Sequence, residues 1–419
     1  MIGVDEALEL VLAASARSEP WPVEQVDLDA AAGRILGLAV IADRDMPPFT
    51  RSAMDGYAVR SADTAESPVS LQVVEEIPAG RKPSRSLGAG QASKIMTGAA
   101  LPEGADAVQM VEKTRRDGDT VMVLSAVARG EHVRRAGEDL AVGSVLLEAG
   151  DAIGPAQIGL LASAGHAKVT VSRRPRVAII PTGDELVPVD REPGPTQIRE
   201  SNGRALEALV RLAGAEPDRR PIVRDAIEDL RAMIGAALQK SDVVLLSGGV
   251  SMGDYDLVGA ALADLGCRMV FDRVAIQPGK PLWFGRWPRP CIGETLGETP
   301  SETLVFGLPG NPVSTVVDFL VFARPALRRL VNSRIFLDAT VTAPLAEPLS
   351  RRPGRRSYLP AVFHERDGAP ALRLLDSRGS ADMVALAKAE ALAIIPQQAE
   401  SLEAGFRVRA LPLAGLSRA

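Results

Sequence analysis

The chain has 419 residues, and its 48 Lys and Arg against 53 Asp and Glu leave a formal charge of −5 with only 4% aromatic residues. That balance excludes the broad positive field that nucleic acid and anionic membranes require, and the few aromatics exclude a base-stacking platform, so any phosphate binding must be local. Cys267 and Cys291 are too few to staple a long chain, His132, His166 and His364 lack zinc spacing, and no apolar run nears the roughly 18 residues that span a bilayer; a cytoplasmic protein is expected, with no membrane or nucleic-acid partner.

The first element, "DEALELVLAAS", reads as an amphipathic helix, and its acidic start is wrong for a signal peptide. From about residue 25 to 168, short β-type runs alternate with Gly- and Pro-rich turns, and "DAIGPAQIGLLASAG" near the end is helical with Pro155 in its first turn. After "SRRPRV" the texture changes. "RVAIIP", "RRPIV", "DVVLLS", "CRMVFDRVAI" and "TLVFGLP" are short strands, interleaved with the helical "NGRALEALVRLAG", "DAIEDLRAMIGAALQK" and "DLVGAALADLG", and "NPVSTVVDFLVFARPALRRLV" closes the region as one long helix. Strands alternating with helices predict a three-layer α/β/α domain on a mostly parallel sheet. Beyond about residue 332, Pro, Gly and Arg return, predicting a small C-terminal β domain, barrel-like. The expected division is 1–172, with a β-rich subdomain inserted at about 45–145, then 173–331 and 332–419.

In such a sheet the loops at the carboxyl ends of the strands face one crevice, where ligands bind. Here each of those loops is polar or glycine-rich: "PTGDEL", the Arg224–Asp225 pair, "SGGVSMGDYD", "QPGKP" and "LPGNP". Gly248, Gly249, Gly279 and Gly310 permit close backbone approach to an anion, and Lys280 offers a point charge to phosphate. Glu185, Asp225, Asp254 and Asp256 are hard oxygen ligands suited to Mg²⁺ or another divalent cation shared with substrate phosphates. A phosphorylated ligand carried with a cation satisfies both sets. Plainer roles stand beside these: Asp225 suits a helix N-cap, Asp184 a turn, Asp254 a cap, and Pro309 and Pro312 bracket a tight turn. Residues 249–253 match the GxSxG elbow of α/β-hydrolases, but Ser251 lies in a wide loop and only His364 follows as a base, so a hydrolase is disfavoured.

Seven motifs in order, "MPPFTRSAMDGYAV", "KIMTGAALPEGADAVQMVE", "RRAGEDL", "PTGDELV", "SGGVSMGDYDLV", "PGKP" and "LPGNPVS", resemble the molybdopterin molybdenumtransferases, the MoeA and gephyrin E-domain family, across essentially the whole chain. The resemblance implies the last step of molybdenum cofactor synthesis: adenylylated molybdopterin and molybdate are the substrates, the metal enters the dithiolene, and AMP leaves with divalent-cation help. It also implies an elongated homodimer, with a MogA-like adenylyltransferase and molybdenum apoenzymes as further partners.

Carried over by motif, the catalytic positions are Asp55, Thr97, Asp139, Glu185, Asp225 and Asp256, with Glu185, Asp225 and Asp256 as metal ligands. Substrate contacts fall on Ser247, Gly248, Gly249, Ser251, Gly279, Lys280, Pro309, Gly310, Asn311, Pro312, Arg355 and Ser380, the register between Arg355 and Arg356 staying open. Some members have lysine where this chain has Gln277. A MogA-type adenylyltransferase resembles the middle region alone, and a gephyrin-like scaffold is the alternative from another class.

Overall fold

The computed structural model describes residues 1–16, 20–249, 257–289, 302–366, 369–377 and 379–413. It divides into two compact units, one of residues 1–38, 149–158 and 168–419, the other of residues 39–148 and 159–167. Two of the sequence-derived site residues, Ser251 and Asp256, lie outside the described residues, as does Asp254.

The chain opens with α1 (Val4–Ser15), which buries Val4, Ala7 and Val11 at helical spacing. The second unit is built on a six-stranded sheet: β1 (Gly56–Val59), β2 (Val69–Ile77), β3 (Gln91–Ile95), β4 (Ala107–Met110), β5 (Thr114–Asp117) and β6 (Thr120–Val123). The spatial order is β4-β1-β3-β2-β6-β5, antiparallel except for β2 with β3. Alternation along β1 explains why both faces are covered: Tyr57 and Val59 enter one apolar cluster and Ala58 another. The helix expected around Pro155 spans Pro155–Ser163.

The larger unit runs β7 (Arg176–Pro181), α2 (Asn202–Leu212), β8 (Glu216–Arg219), α3 (Ile227–Lys240), β9 (Val243–Ser247), α4 (Leu257–Asp264), β10 (Arg268–Arg273), β11 (Ile276–Gln277), β12 (Pro281–Pro288) and β13 (Glu302–Leu308), which keeps the expected alternation except that the strand read at "RRPIV" ends at Arg219 and the run "CRMVFDRVAI" splits into β10 and β11. The sheet order is β8-β7-β9-β13-β12-β10. Pairings β7/β8, β7/β9 and β9/β13 are parallel, whereas β12/β13 and β10/β12 are antiparallel, so the sheet is mixed. The antiparallel half arises because no helix separates β10 from β12 or β12 from β13 among the described residues; a parallel return needs such a crossover.

Successive residues of β7 serve opposite layers. Val177 and Ile179 pack with α1, α2 and the closing helix, while Ala178 and Ile180 pack with α3 and α4. Each fully buried Ile or Leu contributes about 1.5–3 kcal/mol, so this two-faced run fixes the register strongly. The closing helix is not uniform: α5 (Pro312–Asp318) widens into a π stretch, Phe319–Ala323, before α6 (Arg324–Leu330). Pro325 supplies the reason, since it has no N–H for the carbonyl one turn back and its ring crowds that carbonyl.

A third sheet follows, from β14 (Val341–Pro344), β15 (Arg356–Arg366), β16 (Ala369–Leu374), β17 (Ala391–Ile395) and β18 (Arg407–Pro412), with α7 (Met383–Lys388) between β16 and β17. Its order is β11-β15-β17-β18-β14, with β16 on β15. The middle region therefore donates a strand: Gln277 of β11 aligns in parallel with Ser357 of β15. This places "QPGKP" beside "PGRRS", which are about 75 residues apart in sequence.

Candidate active site

The carboxyl ends of β7, β9 and β13 open onto a cleft of about 570 Å³. Ser247, Gly248, Gly249, Pro309, Gly310, Asn311, Pro312, Glu185 and Asp225 all line it, so residues from all five polar loops reach one cleft, the fifth through Pro281. Gly248 has φ +100 and Gly249 φ +68, values that side chains rarely adopt. A Cβ on Gly248 would stand 2.4 Å from the Thr182 carbonyl oxygen, so the turn closes on "PTG" only because it lacks side chains.

Asn202, which pattern reading assigned only to a helix, bridges two of these loops. Its amide donates to Ser247 Oγ at 2.9 Å and to the Gly310 carbonyl at 2.7 Å. No local signal reveals this, because its partners are 45 and 108 residues away. Thr182 lies on the cleft wall as well.

The acidic side is crowded. Burial first, then the charges of Asp184 and Glu185, push the Asp225 carboxyl above its ordinary range. The backbone N–H of Asp225 donates to Asp184 Oδ1 at 3.3 Å. Asp225 is not the helix N-cap: that position is Ala226, and α3 has no side-chain cap. Among the described residues no three His, Cys, Asp or Glu side chains converge into a complete metal site. Glu185 and Asp225 can thus offer a cation only part of a ligand set.

Gly279, Lys280, Arg355 and Ser380 do not line the cleft, although Pro281 and Ala381 do. The Ser380 carbonyl accepts the N–H of Val313 at 3.0 Å, tying that segment to the start of α5. Arg356 donates two bonds to the Asp5 carboxylate, both 2.6 Å, whereas no carboxylate pairs with Arg355 among the described residues. Arg355 instead stands near Arg351, whose pKa is lowered by burial and then by that neighbouring charge.

In the second unit, Asp55 and Thr97 meet. Asp55 Oδ1 accepts the Thr97 N–H at 2.7 Å and the Thr97 hydroxyl at 2.9 Å. These bonds, the backbone one first, hold the Asp55 carboxyl below its usual range. Asp139 pairs with Arg134, and its N–H donates to the Met46 carbonyl at 2.9 Å.

Comparison with known proteins follows the same pattern along the chain. A relative from Nostoc sp. named molybdopterin molybdenumtransferase is 40% identical over 396 residues, covering 93% of this chain and 88% of the relative. The chain belongs to the MoeA family. Family models match residues 2–165 (MoeA N-terminal region, domain I and II), 178–329 (Probable molybdopterin binding domain) and 342–413 (MoeA C-terminal region, domain IV). A Bacillus subtilis relative of the same name is 35% identical, covering 98% of this chain and 94% of the relative. The crystal structure of the molybdopterin biosynthesis moeA protein from Pyrococcus horikoshii OT3 superposes with TM-score 0.81 at 30% identity, covering 98% of this chain and 100% of that one. No helix among the described residues is long and apolar enough to cross a membrane.

Proposed function

We propose that this chain is a transferase of molybdenum cofactor synthesis that inserts molybdenum from molybdate into adenylylated molybdopterin and releases AMP. The cleft is the observation that supports this best. Gly248, Gly249, Gly310 and the Asn202 bridge line it together with Glu185 and Asp225. Such a site takes a phosphoanhydride together with a cation. Reading the middle region alone as an adenylyltransferase leaves residues 2–165 and 342–413 without a role.

Glu185 and Asp225 would hold Mg²⁺, with Asp256 as the third ligand expected from sequence. The Asp225 pKa is raised by burial first and then by the Asp184 and Glu185 charges, and a cation offsets both effects, which is the physical fit. When bound, the cation neutralises charge on the phosphoanhydride. Ser247, Gly248 and Gly249 orient the phosphates. Lys280, Arg355 and Ser380 take the tetrahedral oxyanion; Arg356 is already satisfied by Asp5, which favours Arg355 for that role. Thr97 keeps Asp55 ionised by donating twice to one oxygen. The active form in this reading is a homodimer.

The test is the cation dependence of AMP release. Wild type releases AMP with Mg²⁺ stimulation, and Asp225→Asn loses that stimulation by tenfold or more. If Asp225→Asn responds to Mg²⁺ as wild type does, the cation assignment is wrong.

A further inference from the structure

One carboxyl of the larger unit has no place in the reaction described above. Asp318 ends α5, where the helix widens into the π stretch, and its side chain is fully buried. Neither carboxyl oxygen has a hydrogen-bond partner among the described residues. Burial pushes its pKa well above the ordinary carboxylate value, so the group is held toward its neutral acid form. Leaving a buried polar group unpaired carries a desolvation cost, and proteins retain such groups where the local arrangement does something else.

What Asp318 touches is Gly279, in the turn between β11 and β12. Gly279 has φ +113, and a Cβ there would lie 2.2 Å from Asp318 Oδ1 and 2.7 Å from Oδ2. The carboxyl thus occupies the space a side chain at 279 would need. The next residue is Lys280, which has no carboxylate partner among the described residues. Pro281 beyond it, and Pro312 at the other end of α5, both line the cleft. One contact therefore joins the helix that opens at the cleft to the turn that carries the unpaired ammonium.

We propose that Asp318 is a positioning residue for the oxyanion substrate: its carboxyl, seated against Gly279, sets the turn of residues 277–280 and with it the place of the Lys280 ammonium. This rests on reading Lys280 as an oxyanion contact. The acid acts by shape rather than charge, so asparagine is the conservative replacement. Alanine lets the turn relax into the vacated space, and the ammonium moves from its site.

The experiment is titration of the full chain with molybdate alone, together with KM and kcat for molybdate in the transfer reaction. Asp318→Asn binds molybdate within about threefold of wild type. Asp318→Ala weakens binding about tenfold and raises KM by a similar factor, with kcat changed less than threefold. Because Asp318 acts through Lys280, the Asp318→Ala/Lys280→Ala pair binds no worse than Lys280→Ala alone. Wild-type affinity in Asp318→Ala, or losses that add in the double variant, overturns the proposal. If Lys280→Ala itself binds as wild type does, the Lys280 reading fails and takes this inference with it; if only Asp318→Ala is silent, the Lys280 reading stands.

Discussion

Replacing Asp318 with asparagine is predicted to change how the stability of the larger unit depends on pH. The native carboxyl is buried without a partner among the described residues and its pKa is raised from an ordinary 3.8, so the folded chain keeps a proton that the unfolded chain releases. Stability therefore falls as pH rises above 3.8 and levels off only once the native group ionises. Within that window the slope from this one group is about 1.4 kcal/mol per pH unit. Asparagine does not titrate, so the variant lacks the slope. It carries an offset of its own, about 1–3 kcal/mol for unpaired amide hydrogens. The variant is thus less stable in acid and overtakes the wild type about one to two pH units above the unfolded value. Urea unfolding from pH 4 to 8 measures this. The chain's 3 tryptophans, Trp21, Trp283 and Trp287, all lie in the larger unit, so their fluorescence follows it alone. Parallel stability curves for the two proteins would refute the assignment of a buried, unpaired acid.

Three further outcomes are expected. Asp5→Asn removes the doubly bonded partner of Arg356; because the Asp5 side chain is 73% exposed, the loss at pH 7 is about 0.5–1 kcal/mol. The hydrogen bond from Arg356 lowers the Asp5 pKa, so that contribution is present above 3.8 and disappears as pH falls through the folded value, and urea curves at pH 7 and pH 2 test it. Thr97→Val deletes one of two bonds to Asp55, so the acid limb of the kcat/KM profile moves to higher pH, while Thr97→Ser leaves it in place. Asn202→Ala strips Ser247 and Gly310 of a shared donor, and at about 0.7 kcal/mol for each of the two hydrogen bonds AMP binding weakens roughly tenfold by calorimetric titration.

The elements of the larger unit were legible because burial on both faces writes continuous apolar runs such as "VVLLS", and their order placed the functional loops at one edge. β12 was not, since Pro281 and Pro288 bound a run with no helical sequence pattern on either side to mark a crossover. The long closing helix was visible as hydrophobic periodicity, but its π stretch depends on how Pro325 is accommodated. Among site residues, the glycine turns and the paired acids carry local signals. Asn202 and Asp318 do not, because each acts on a partner brought near only by the fold. A lone Asp within "VVDFLVF" was the one trace of the second, and sequence alone cannot tell a buried acid from an exposed one at that position.

Incubation of the purified chain with adenylylated molybdopterin, molybdate and Mg²⁺ tests the central claim most directly. AMP should appear in step with a cofactor that activates a molybdenum apoenzyme, and Asp55→Ala should lose both. AMP release without an active cofactor, or no AMP release from the wild-type chain, would contradict the account.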